Sequence, residues 1–135
     1  LTTGLLLDTH AFLWMAASVP RISQAARQRI EATARVCVSS ISIVELCIKH
    51  GTGKLPLPPP LEARPGPAFL ETIDKLGLLE LPLDVMAAAR LKDLPRHHDD
   101  PFDRLLIAQA LEADLTLVTH DRILARYQGL DILWT

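Results

Sequence analysis

The 135-residue sequence predicts an α/β fold built on a parallel sheet. Two observations carry that expectation. Short apolar runs alternate along the chain with longer stretches of helical spacing, the pattern of successive βαβ units. Four carboxylates also sit where an apolar run gives way to a helix: Asp8 after Leu5, Leu6 and Leu7, Glu45 after Val36 to Ile43, Asp103 after Pro101, and Asp121 after Leu117, Val118 and Thr119. Parallel strands put all their carboxyl ends on one sheet edge, the edge where open α/β folds bind ligands, so acids scattered through the sequence are expected to meet there.

Leu5 to Asp8 reads as the first strand and Thr9 to Ala17 as a helix with Phe12 and Leu13 on its apolar side. Pro20 separates it from a second helix, capped by Ser23 and running to Ala34, with Ala26 and Ile30 on one face and Arg27 and Glu31 on another. Val36 to Ser39 is a second strand and Ser42 to His50 a third helix. Gly51 to Pro67 is so rich in breakers that it reads as an irregular surface loop, pinned by Leu55, Leu57 and Leu61. Ala68 to Leu76 returns to helix, Leu78 to Leu83 is the third strand, and Asp84 caps a helix to about Leu94. After a turn over Pro95 to Asp100 come a strong helix, Pro101 to Ala113, the fourth strand, Thr116 to Thr119, a short helix, Arg122 to Tyr127, and a fifth strand, Ile132 to Trp134.

The length suits one domain spanning residues 1–135, with a core of useful size and no room for a second. A hydrophobic fraction of 49% speaks for a compact globule. No uncharged apolar stretch approaches the ~20 residues that span a bilayer. Leu5 to Leu7 is closed by Asp8 and lacks the basic start and long apolar segment of an export signal, so the cytoplasm is expected. Cys37 and Cys47 lack metal-type spacing and read as reduced core residues. The formal charge of −2 is not that of a basic nucleic-acid binder. Setting aside the four candidate acids leaves 12 acidic residues against 14 basic ones, which permits weak attraction to a polyanion without arguing strongly for it.

Several like charges within a few Å repel and take up protons unless a cation neutralises them, so a cluster of carboxylates points to a hard divalent ion such as Mg²⁺. Each acid also has a purely structural reading. Ser42 with Glu45 matches a capping box, Asp100 with Pro101 fits N-cap and N1, Asp103 falls at N3, and Asp8 and Asp121 suit N-caps. In a parallel sheet four such caps would also be neighbours, and that conjunction favours a site.

The stretches Leu5 to Trp14, Ser42 to Lys49 with Gly53 to Leu57, Asp100-Pro-Phe-Asp-Arg104 continuing to Ala110, and Leu117 to Asp121 resemble the PIN-domain ribonucleases, specifically the VapC-type toxins of toxin-antitoxin pairs. The likeness runs the length of the chain, and its Asp-Pro-Phe-Asp-Arg segment is the most specific part. It implies a three-layer α/β/α sandwich with a five-stranded parallel sheet, Mg²⁺ or Mn²⁺ dependence, and hydrolysis of RNA phosphodiester bonds. Asp8, Glu45, Asp103 and Asp121 fall on the family's four acidic positions, the last being its most variable. Many relatives have Trp-Glu-Ile where this chain has Val44-Glu45-Leu46, which leaves the acid in place. The implied partners are RNA, with tRNA a candidate, a cognate antitoxin, and a second copy of the chain. Trp14, Leu55 and Leu57 are candidate interface residues.

Asp8 and Asp103 are the expected principal metal ligands, Glu45 a ligand or water-orienting group, and Asp121 an outer ligand. Lys49, one turn beyond Glu45, and Arg104, beside Asp103, are the candidate phosphate contacts, with Arg122 a third. Thr9 and Thr119 read as strand-end residues rather than carboxylate partners, and His97 with His98 as a polar turn rather than a metal pair. Trp14 and Trp134 are available for base stacking or, more in keeping with a chain of 4% aromatics, for packing. Two other classes bear comparison. A haloacid-dehalogenase-like phosphatase needs a second acid two positions after Asp8, where this chain has His10. A non-catalytic interaction module whose acids only cap helices remains the alternative.

Overall fold

The computed structural model describes residues 3–135. Five parallel strands form one sheet in the order β3-β2-β1-β4-β5, from β1 (Leu5–Leu7), β2 (Val36–Ser39), β3 (Leu79–Leu81), β4 (Thr116–Thr119) and β5 (Ile132–Trp134). The central strand β1 is an unbroken leucine run because both of its faces are covered. Leu5 and Leu7 point into one core with Phe12, Ile30, Leu46 and Phe69, and Leu6 into the other with Leu106, Ile107 and Leu117. Helices α1 (Thr9–Ala16), α2 (Gln24–Ala32) and α5 (Pro65–Lys75) supply the first layer and α7 (Pro101–Ala113) the second, which makes the expected α/β/α sandwich. The helix α3 (Ser40–Gly51) packs against both α1 and α7 at the edge between the layers.

From β1 the chain builds outward to β2 and β3, then returns to the other side of β1 for β4 and β5. The crevice at that reversal, between the ends of β1 and β4, is the position an open α/β sheet offers a ligand. Register holds the two ends level, with Leu7 paired to Val118 and the Asp8 N–H donating to Val118 O at 2.9 Å.

Several boundaries differ from those expected. The third helix starts at Ser40 and is capped by Ser39, whose hydroxyl accepts from the Ile41 N–H. Glu45 is therefore in the second turn and not the N3 residue of a capping box at Ser42. The breaker-rich segment holds a short helix, α4 (Pro59–Ala63), and the start of α5, because a proline at N1 lacks only an N–H that a helix start leaves unpaired anyway. Leu57 and Leu61 do pin it, both being buried. The helix α6 (Val85–Ala89), capped by Asp84, gives way to a 3-10 turn at Arg90–Lys92, and Arg122–Arg126 is likewise 3-10. Both cysteines are free, but Cys47 is exposed and not a core residue. No helix among the described residues is long and apolar enough to cross a membrane.

Candidate active site

Asp8 leaves the end of β1 and caps α1, its Oδ1 accepting from the Ala11 N–H at 2.8 Å. Burial raises its pKa above the ordinary carboxylate value, against the Ala11 N–H, the Thr119 hydroxyl and the nearby His10 and His120 rings, which lower it. Asp121 follows β4 and caps the next 3-10 turn through the Ile123 N–H at 3.1 Å, while its own N–H donates to Thr119 Oγ1. The Thr119 hydroxyl thus lies between the two acids, which the strand-end reading of that residue missed.

Glu45 projects from α3 and is only 3% exposed. Thr9 Oγ1 donates to its Oε1 at 2.5 Å, the Ser42 hydroxyl lies 3.1 Å from the same Thr9 oxygen, and Lys49 Nζ reaches Oε2 at 2.5 Å. Lys49 is one helical turn from Glu45, the spacing that puts two side chains on one face. The hydrogen bond to Glu45 raises the lysine's pKa most, and Asp100 and Asp103 add to it.

Asp103 stands at N3 of α7, behind Asp100, whose Oδ1 accepts from the Phe102 and Asp103 N–H groups. Its pKa is pushed up to about 7, first by burial and then by the negative charges of Asp100, Glu45, Asp8 and Asp121. The other three expected acids, Asp8, Glu45 and Asp121, are therefore close enough to act on the Asp103 carboxyl. Asp100 is a fifth, read in the sequence only as a cap. Neighbouring charge, rather than a closed cage, defines the arrangement: among the described residues no three His, Cys, Asp or Glu side chains are already disposed as a metal centre.

A hydrogen-bond chain holds Asp103 from behind. Arg104 Nη1 donates to Tyr127 Oη at 3.2 Å, and Tyr127 Oη lies 2.7 Å from His98 Nδ1. Arginine can only donate, so Tyr127 Oη accepts from Arg104, and the other nitrogen of the His98 ring lies 3.3 Å from Asp103 Oδ2. His98 was not expected at the site, and nothing in the sequence marks a partner 29 positions away.

The same chain corrects the reading of Arg104. It is 7% exposed, and its guanidinium donates to Pro95 O at 2.8 Å and Leu94 O at 3.1 Å, so it fastens the turn before α7 and is not presented to a phosphate. Arg122 is engaged too, lying 4.1 Å from the centroid of the Trp134 ring. Of the expected interface residues, Leu57 is buried, while Trp14 and Leu55 line an open cleft. Among the described residues, the exposed large apolar side chains are Val44, Ile48, Leu70, Leu79, Val85 and Met86.

The arrangement offers hard oxygen donors, the set that suits Mg²⁺ or Mn²⁺ over softer ions. A carboxyl driven to about 7 by burial and by its like-charged neighbours gains from any cation that takes its proton's place. The donor set and its electrostatics thus fit a divalent metal.

The family described as PIN domain matches residues 5–130. Ribonuclease VapC22 of Mycobacterium tuberculosis is 32% identical over 127 residues, which cover 93% of either chain. In fold, the chain resembles the DNA-bound VapBC structure from Salmonella typhimurium, with a TM-score of 0.68 at 23% identity and 97% of each chain covered. It also resembles VapBC2 of Rickettsia felis bound to a promoter DNA fragment, with a TM-score of 0.69 at 17% identity and 98% of each chain covered.

Proposed function

Since this chain belongs to the PIN-domain family, we propose that it is a divalent-metal-dependent endoribonuclease acting in the cytoplasm as the toxin of a toxin-antitoxin pair. The observation that carries the reading is the convergence of Asp8, Glu45, Asp100 and Asp121 on the half-buried carboxyl of Asp103 at the β1–β4 crevice. Asp8 and Asp103 are the principal ligands proposed for Mg²⁺ or Mn²⁺, with Glu45 and Asp121 completing the set. When bound, such an ion supplies an activated water and stabilises charge on the phosphoryl and leaving oxygens.

The chain's own residues do the positioning. Ala11 N–H and the Thr119 hydroxyl fix Asp8, so that its orientation is set before substrate arrives. Thr9 and Lys49 each bind one oxygen of Glu45 and fix it at the cleft, and Ser42 holds Thr9. His98 orients Asp103. Lys49, 35% exposed, retains an open side with which to meet a phosphate of the strand. Hydrolysis adds a water oxygen to phosphorus as the P–O bond to the next nucleotide breaks, and the departing oxygen takes up a proton. No side-chain nucleophile is required.

The similarity to VapC22 supports the ribonuclease assignment, and the fold shared with VapBC assemblies supports an antitoxin partner. A cognate antitoxin and a second copy of the chain are the proposed protein partners. The exposed apolar residues Val44, Ile48 and Leu70 provide surface for them.

That Asp8 and Asp121 do cap helices keeps the interaction-module reading in view. Incubating total RNA and purified tRNA with the protein, in Mg²⁺, in EDTA, and with Asp8→Asn, separates the two. Metal-dependent cleavage that disappears in EDTA and in Asp8→Asn supports the nuclease, because asparagine keeps the cap while giving up the charge. Equal cleavage in all three arms means a contaminant, and none in any arm favours the interaction module.

A further inference from the structure

Six Phe, Tyr and Trp side chains are present in the chain. Phe12, Phe69 and Tyr127 are buried, Phe102 packs against the core, and Trp134 is covered by Arg122. Trp14 differs from all of these. One side of it packs on the core, while the other faces two exposed imidazoles. His10 lies four residues earlier on the same face of α1, with ring centroids 5.8 Å apart, and His120, arriving from the end of β4, is 5.2 Å from Trp14 and 5.1 Å from His10. Both histidines are also near enough to Asp8 to bear on its carboxyl, so the cluster abuts the acid cleft.

Two open clefts flank the cluster and share Leu13 and Leu55. One, about 260 Å³, runs from Glu45 and His10 past Lys49 and Lys54. The other, about 460 Å³, passes Trp14 to Arg21, whose guanidinium stands 5.9 Å from the Trp14 centroid. Among the described residues lining either, Glu45 is the only acid, against three cations. In a chain of net charge −2, this is a local surplus of positive charge laid beside open aromatic rings. That combination, cations to follow a phosphate backbone and π-faces to take successive bases, is what single-stranded nucleic acid binds.

We propose that His10, Trp14 and His120 form a stacking subsite for an unpaired RNA base next to the cleaved phosphate, with Lys54 and Arg21 guiding the adjoining backbone. The inference rests on the ribonuclease reading of the acid cleft. It adds that substrate must be single-stranded where it crosses α1, since a base within a duplex has no free face to offer. A sequence preference is not required, because every base has a π-face.

The test uses the full chain carrying Trp134→Phe, so that Trp14 is the only tryptophan, and Asp103→Asn, so that bound RNA is not cut. A dye-labelled unpaired oligoadenylate is titrated in Mg²⁺, with binding followed by anisotropy and stacking by Trp14 emission. In otherwise wild-type protein, KM and kcat are measured for Trp14→Ala, Trp14→Phe and the exposed His120→Ala, each checked for folding by thermal melt. The expected results are quenching of Trp14 by the single strand but not by inorganic polyphosphate, and a KM raised about tenfold by Trp14→Ala with most of it restored by Trp14→Phe. His120→Ala is expected to raise KM about threefold.

Four results would overturn the subsite: unchanged emission with a bound strand, no binding of the strand, equal quenching by polyphosphate, or a change of oligomeric state in place of KM. If the protein with all its acids intact fails to cut RNA in Mg²⁺, the ribonuclease reading itself falls. Cleavage that depends on Asp103 but is indifferent to Trp14 and His120 removes the subsite alone.

Discussion

The two walls of the acid cleft are built on opposite electrostatics. On the α3 wall, Glu45 is buried yet fully served, with Lys49 at 2.5 Å on one oxygen and the Thr9 hydroxyl at 2.5 Å on the other. On the α7 wall, Asp103 has no lysine or arginine among its ion pairs, only His98 at 3.3 Å, and faces four other carboxylates that help drive it to about 7. The arginine next to it in sequence is turned away to Leu94, Pro95 and Tyr127. One wall carries its own cation, and the other is organised to receive one. The difference also separates two ways a charge can be adjacent: Lys49 meets its acid by helical spacing, whereas Arg104 follows its acid in the chain and serves a different structure.

Removing the acid of the open wall is expected to have the largest effect. Asp103→Asn should lower kcat on RNA by about a thousandfold, the scale of losing a main electrostatic group at a reacting phosphate. Its effect on metal-free stability should have the opposite sign. The folded pKa of about 7 lies above the ordinary aspartate value of 3.8, so this group's contribution is complete below about pH 4 and is lost as pH rises through 7. Metal-free wild type should therefore melt lower at pH 8 than at pH 5. Asp103→Asn should flatten that dependence and raise the melting temperature at pH 8. A variant that is less stable than wild type at pH 8 would mean that the wall is not short of positive charge.

Arg104→Met should destabilise by about 2–4 kcal/mol in a urea melt, since it strands two carbonyls and a tyrosine that received charged donors. The salt dependence of RNA binding should be unchanged, and a shallower salt slope would return Arg104 to the phosphate contacts. Lys49→Met removes the cation of the closed wall and should cost about 1–2 kcal/mol, moderated by the lysine's exposure. Mn²⁺ should recover part of that loss, making the two walls alike. Smallest is Tyr127→Phe, which breaks the link from Arg104 to His98 at about 1 kcal/mol and should weaken Mn²⁺ binding about tenfold while leaving Glu45 untouched.

The sheet and the acids at its edge were legible because they rest on local signals: an unbroken Leu5–Leu7 run, and carboxylates at the helix starts after β1 and β4. The capping preference that made Asp8 and Asp121 ambiguous is also what aims them, since a cap at that edge is a site residue as well. Less legible was anything decided by contacts across the fold. Ser39 and Ser42 are equally good caps on paper, and the end of β2 decides between them by placing Ser39 where the helix begins. Asp100 reads as a cap and acts also as a fifth acid. Thr9 and Thr119 have strand-end sequences, yet their hydroxyls meet carboxylates brought from elsewhere in the chain. The helices of the proline-rich segment escaped because prolines that break a helix interior are tolerated at its first turn.

Calorimetric titration of Mn²⁺ near pH 7, repeated in buffers of differing ionisation enthalpy, tests most directly whether the open wall is held for a cation. Binding should occur with release of about half a proton, the share that a carboxyl of pKa about 7 carries at that pH, and Asp103→Asn should abolish both the release and most of the affinity. Binding with no proton release and equal affinity in Asp103→Asn, or no binding to the wild type at all, would contradict it.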